Sequence, residues 1–153
     1  MMATTLLRDH HRRLERLLAR LSGERHLRMP LVLQLVEELM THLSIEDHFF
    51  LCPVADKVGI RVERYRDEQG RVRNAVLQAV FAESDDGVFE TRLRDLEQAF
   101  SQHARTLERD LFPLVEAHVR SDDLEGMGDR MQVFWDAALG SDRPSSPTHE
   151  HAA

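Results

Sequence analysis

Apolar residues recur along this chain at spacings of three and four, the period of a helix that buries one side. The first such stretch predicts a helix from about Thr5 to Leu21, with a threonine as N-cap and Gly23 just past its end. Its stripe is Leu7, Leu14, Leu17, Leu18 and Leu21. Stepping ~100° per residue, His10 falls near the centre of that stripe and His11 on its edge. After a short polar loop, Pro30 suits the first turn of a second helix. This one reads to about Leu51, where Pro53 ends or kinks it. Leu31, Val32, Leu35, Val36, Leu39, Leu43 and Phe50 form its stripe, with Glu46 inside it and His42 on its flank. A third helix is predicted over Arg61 to Ala82. Its seam runs through Val58, Val62, Tyr65, Gln69, Val72, Val76 and Val80, and it contains no histidine. Ser84-Asp85-Asp86-Gly87 reads as a turn and a helix start. The fourth helix then lines up Phe89, Leu93, Leu96, Phe100, His103, Leu107 and Leu111, until Pro113 interrupts it. A last helix, about Asp122 to Leu139, is expected to bury Met127, Met131, Phe134 and Trp135 as a packing element.

These seams predict an all-α fold: an up-down-up-down four-helix bundle with an additional C-terminal helix packed on its side. Few glycines, prolines and β-branched residues, set among abundant Leu, Arg and Glu, agree with it. The 153 residues make one domain, 1–139, followed by a tail, 140–153, that has nothing to bury and is expected to be disordered. His149 and His151 lie in that tail and make a poor specific site.

Charge and cysteine content narrow the function classes. A net charge of −7 argues against nonspecific nucleic-acid binding, which needs basic patches. No apolar run approaches the ~20 residues of a membrane span, and the start lacks a signal pattern. The single Cys52 excludes an internal disulfide and fits a reducing compartment, so a cytoplasmic protein is expected. There is no Gly-rich phosphate loop, no Ser-His-Asp set and no cysteine cluster.

The polar members of the seams carry the candidate chemistry. His42 and Glu46 are four residues apart, so an imidazole and a carboxylate share one helix face. A carboxylate among leucines must be neutralised, paired or bound to a metal, because burying it alone costs several kcal/mol. One bland alternative pairs Glu46 with an arginine. Another leaves the seam histidines as hydrogen-bonded core residues. His103 repeats the pattern on the fourth helix, where Leu107 takes the place that Glu46 holds on the second. Glu108 lies nearly a quarter turn off the stripe and reaches the core only if the helix is rotated there. His48 and His118 read as surface residues, as do Glu63 and Asp67.

With His10 on the first helix, His42 and Glu46 on the second, His103 with Glu108 on the fourth and Leu-Phe-Pro closing it, the chain resembles the hemerythrin-like, or HHE cation-binding, family over roughly residues 5 to 118. That resemblance implies a non-heme di-iron centre inside the bundle. His10 and His42 would serve one metal, Glu46 and Glu108 would bridge, and His103 would serve the second. The chain departs from the family on the third helix, where Gln69 and Arg73 stand in place of histidines, and again at Leu107. Both departures weaken the second metal position, since a neutral Gln oxygen is a weak ligand beside imidazole.

The expectation is therefore a hemerythrin-like protein with a reduced site, mononuclear or partial. Non-heme iron is the expected ion, with Tyr65 and Gln69 beside it, and the function is to bind or sense dioxygen or a related small ligand rather than to turn it over. A metal-free bundle acting as a protein-interaction module is the alternative. An oxidase or peroxidase using iron and Tyr65 is a third reading.

Overall fold

The computed structural model describes residues 1–140, and the sequence beyond them, with His149 and His151, lies outside the described residues. Among these residues seven α-helices follow one another: α1 (Ala3–Gly23), α2 (Arg28–Ile45), α3 (Cys52–Val58), α4 (Glu63–Phe81), α5 (Asp86–Thr106), α6 (Phe112–His118) and α7 (Ser121–Leu139). The long helices α1, α2, α4 and α5 form the four-helix bundle; α1 packs on α2 and α5, and α4 on α5 and α2. The additional C-terminal helix, α7, lies against α1 and α2. None of the described helices is long and apolar enough to cross a membrane.

Pro53 and Pro113 do not end their helices. One wide π-helical turn, Glu46–Leu51, joins α2 to α3, and another, Leu107–Leu111, joins α5 to α6. A proline has no N–H, and its ring crowds the carbonyl four residues back. In each case the residue just before the proline bonds five residues back instead: Cys52 N–H to the Asp47 carbonyl, and Phe112 N–H to the Leu107 carbonyl. The wider turn makes room for the ring and lets the helix run on, to Val58 and to His118. Such turns rotate the next helical segment relative to the one before, and they are frequent at functional sites. Gly59, at φ 71°, then ends α3 in the left-handed conformation that a helix C-terminus favours.

Several local expectations are corrected. Met2, not a threonine, precedes α1, and Thr4 is buried within its first turn. On α4, Ala79 is buried in place of Val80, which is exposed. On α7, Leu124, Met127, Gly128 and Met131 are buried, whereas Phe134 is exposed and Trp135 only half-buried. The N-terminal half of α7 is held close because Gly128 faces the chain start; a Cβ there would meet the Met1 carbonyl oxygen and the Ala3 nitrogen.

The apolar core is split in two. One cluster gathers Leu6, Leu7, Phe50, Leu51, Tyr65, Leu107, Leu111, Phe112 and the buried residues of α7. The other gathers Leu14, Leu17, Leu39, Leu43, Val72, Val76, Leu96 and Phe100. Along α1, α4 and α5, the residues between the clusters are polar: His10 and His11 on α1, Gln69 on α4 and His103 on α5. With His42 and Glu46 of α2 they make a buried polar layer across the bundle.

Candidate metal centre

Glu46 is the centre of that layer, completely buried just where α2 gives way to the first π turn. Its two oxygens have different surroundings. Oε1 accepts hydrogen bonds from Gln69 Nε2 at 2.7 Å and from His103 Nε2 at 2.5 Å. His103 in turn contacts the Glu68 carboxylate through Nδ1 at 3.0 Å. An imidazolium lying between two carboxylates is strongly favoured: burial pushes His103 down, but Glu46 and Glu68 outweigh it and raise its pKa to about 9. Burial likewise pushes the Glu46 carboxyl up, and the His103 charge with the surrounding hydrogen bonds holds it well below the usual carboxylate range. The bland pairing with an arginine is thus replaced by pairing with a histidine.

Oε2 of Glu46 faces His42 Nε2 at 3.2 Å and His11 Nε2 at 3.5 Å. Both imidazoles are completely buried, and their rings stand edge to face, 5.0 Å apart. All three atoms are without a hydrogen-bond partner. Buried polar atoms are nearly always satisfied, so three orphans turned on one point need an explanation. A cation supplies one. His11, His42 and Glu46 each offer a ligand atom, all within 4.8 Å of one another. Metal–ligand bonds of about 2.1 Å at right angles place neighbouring donors about 3 Å apart. The two spacings to Glu46 Oε2, 3.2 and 3.5 Å, exceed that by only a few tenths of an ångström. Two imidazoles and one carboxylate on one side of an ion are the donor set of non-heme iron sites with open positions. The residues present fit a single transition-metal ion.

His10 and His11 exchange the parts that the helical stripe gave them. His11 lies inside the trio, not on an edge, and His10 stands behind His42, Nδ1 to Nδ1 at 3.4 Å. The indication was present: Leu7, His11, Leu14 and Leu18 are spaced four, three and four, as regular a row as Leu6, His10, Leu14 and Leu17. Burial, followed by the neighbouring His42, His11 and Arg13, lowers the His10 pKa to about 3, so this ring is neutral. Burial also lowers His42. His11 is pushed down by burial but raised on balance by Glu108 and Glu46.

Glu108 is drawn inward by the second π turn, the rotation its spacing required, yet it stops short of the trio. Its Oε1 is 3.8 Å from His11 Nδ1, and Arg12 holds both its oxygens at 2.7 and 2.8 Å. Gln69 touches the centre through Glu46, while Tyr65 stands in the apolar cluster beneath, with Arg64 5.1 Å over its ring. Phe100 and Phe112 wall the imidazoles of His11 and His42. His48 and His118 are exposed, the latter bonded to the Leu114 carbonyl. Glu68 and Arg12 escaped the sequence reading, because each sits beside a seam residue and long side chains reach sideways into the layer.

A family model described as the hemerythrin HHE cation binding domain matches residues 2–115. Comparisons with curated proteins and with solved structures find no match. The matched span contains the trio and all of the bundle helices, with α7 lying beyond it. A match over most of the chain, joined to an all-helical bundle with its buried histidines and carboxylate, settles the relationship: this chain belongs to the hemerythrin HHE cation-binding family.

Proposed function

We propose that this protein binds one non-heme iron ion through His11, His42 and Glu46, and uses it to bind or sense dioxygen or a related small ligand. The observation that carries the reading is the convergence of three buried donors with no hydrogen-bond partner. A single ion is favoured over two because Oε1 of Glu46, the oxygen a second ion would share, already accepts from His103 and Gln69. When bound, iron in such a donor set supplies open coordination positions.

The chain's own groups do the rest. Gln69 and His103 fix the Glu46 carboxylate so that Oε2 is left for the ion. Glu68 holds the proton on His103 Nδ1, keeping that ring cationic. Phe100 and Phe112 exclude water around the imidazoles, and Arg12 with Glu108 closes the layer on the side of His11. The test is metal content per chain after anaerobic loading with Fe(II) and desalting. One iron is expected; none after repeated reconstitution removes the reading.

One observation favours the metal-free interaction module. Val133 and Phe134 of α7 are exposed and form an apolar hollow with Phe49 and Ala137, bordered by Asp129 and Arg130. On that reading, added metal leaves thermal stability unchanged, and Phe134→Ser abolishes partner binding without altering the fold.

A further inference from the structure

An imidazole that gives one nitrogen to a metal carries its proton on the other, and what that proton bonds to fixes the ring. His42 turns Nε2 toward the trio. The neighbour of its Nδ1 is Nδ1 of His10, 3.4 Å away, with the two rings at 70°. His10 is buried and held from behind: the Trp135 ring lies on it, centroids 4.1 Å apart. The Arg13 guanidinium stands 5.9 Å from the Trp135 ring and is itself fixed by two hydrogen bonds to the buried Glu38. An indole face packs against His10 without competing for its Nδ1.

We propose that His10, backed by Trp135, is a positioning residue of the metal centre, its Nδ1 accepting the Nδ1–H of His42 so that His42 presents Nε2 to the ion. This rests on the reading of His11, His42 and Glu46 as the metal site. It makes α7, which lies outside the family-matched residues, part of the centre and not merely a cover for the bundle. Without the acceptor, a buried N–H on His42 is left unmet, and the competing tautomer, with its proton on Nε2, blocks the ligand position.

Two measurements on the full chain test it. In the Zn(II)-loaded wild type, two-bond proton–nitrogen NMR spectra are expected to show His42 protonated on Nδ1 and His10 on Nε2. His42 protonated on Nε2 overturns the proposal whatever the variants do. In Co(II) titrations against a chromophoric chelator, His10→Ala is expected to weaken binding about 10–100-fold, the usual cost of losing a ligand's hydrogen-bond partner. His10→Asn, whose amide oxygen can accept the same proton, recovers most of the affinity, and Trp135→Ala loses part of it. Equal losses in His10→Asn and His10→Ala overturn the proposal, because packing then explains them. Unchanged affinity in Trp135→Ala removes α7 from the centre. Wild-type protein that binds no Co(II) defeats the metal reading itself, whereas binding that His10→Ala leaves intact defeats only this inference.

Discussion

Replacing Glu46 by Gln separates the metal role of this residue from its structural one. A glutamine carboxamide has the carboxylate's shape, so its oxygen can still accept from Gln69 and His103. Its NH2 group, placed where Oε2 was, can donate to a ring nitrogen of His11 or His42. The variant loses charge, not packing. His103 keeps Glu68, so the metal-free cost is that of one charge-assisted hydrogen bond, about 1.5–3 kcal/mol. The metal-linked term disappears altogether, because an amide donor cannot serve as the anionic ligand. In the wild type, a free ion concentration of about 100 times Kd adds ~2.7 kcal/mol. For a chain of this size that raises Tm by roughly 5–11 °C, at ~2–4 °C per kcal/mol. The assay is thermal unfolding followed by circular dichroism, with and without buffered Co(II) or anaerobic Fe(II). The expected pattern is a metal-dependent rise in the wild type and none in Glu46→Gln, which still folds. A variant that keeps the full rise refutes the assignment of Glu46 as a ligand.

His11→Ala and His42→Ala are each expected to abolish metal retention after desalting, whereas His48→Ala and His118→Ala retain it; equal retention in all four sinks the trio. Gln69→His adds an imidazole beside Glu46, Glu68 and His103, and metal per chain is expected to rise from one toward two. No rise by plasma mass spectrometry means that the third helix does not lack just that ligand. The His103 pKa lies above its ordinary 6.5 in the folded protein. Its contribution to stability is therefore fully present below pH 6.5 and lost as pH rises through about 9. Urea midpoints of metal-free protein should fall across that window, and His103→Gln should flatten the fall; a parallel fall in both refutes the linkage. Gly128→Ala drives a methyl into the Met1 backbone, and overpacking of this kind costs about 1–3 kcal/mol. An unchanged urea midpoint would show that the chain start moves aside freely.

Much of this molecule was legible one residue at a time, and the misreadings have identifiable causes. The four stripes gave the four bundle helices because their leucines and valines have no other way to leave water. The three-and-four spacing that carries them leaves a width of stripe in which neighbouring positions both qualify. His10 and His11 both lie within it, so periodicity alone could not say which one faces His42 and Glu46 across the layer. Glu68 and Arg12 had the same ambiguity from the other side, since a side chain rooted on the flank reaches a buried partner. At Pro53 and Pro113 the sequence predicts an end, a kink or an interruption because the cost of proline in a helix is local; that a π turn could absorb it depends on what the wider turn packs against.

The sequence by itself determined the elements: amphipathic helices whose apolar faces must be buried together, with a carboxylate and three histidines placed among them where water is excluded. Backbone period and transfer free energy are enough for that, and every chain carries both in its residue order. Only the tertiary structure decided the division of labour inside the polar layer. It turned Oε1 of Glu46 to Gln69 and His103, left Oε2 to His11 and His42, and set His10 behind His42 with Trp135 upon it. Those choices depend on the rotation and axial offset of one helix against another. Both are fixed by how two whole apolar clusters pack above and below the layer, and no single helix encodes them.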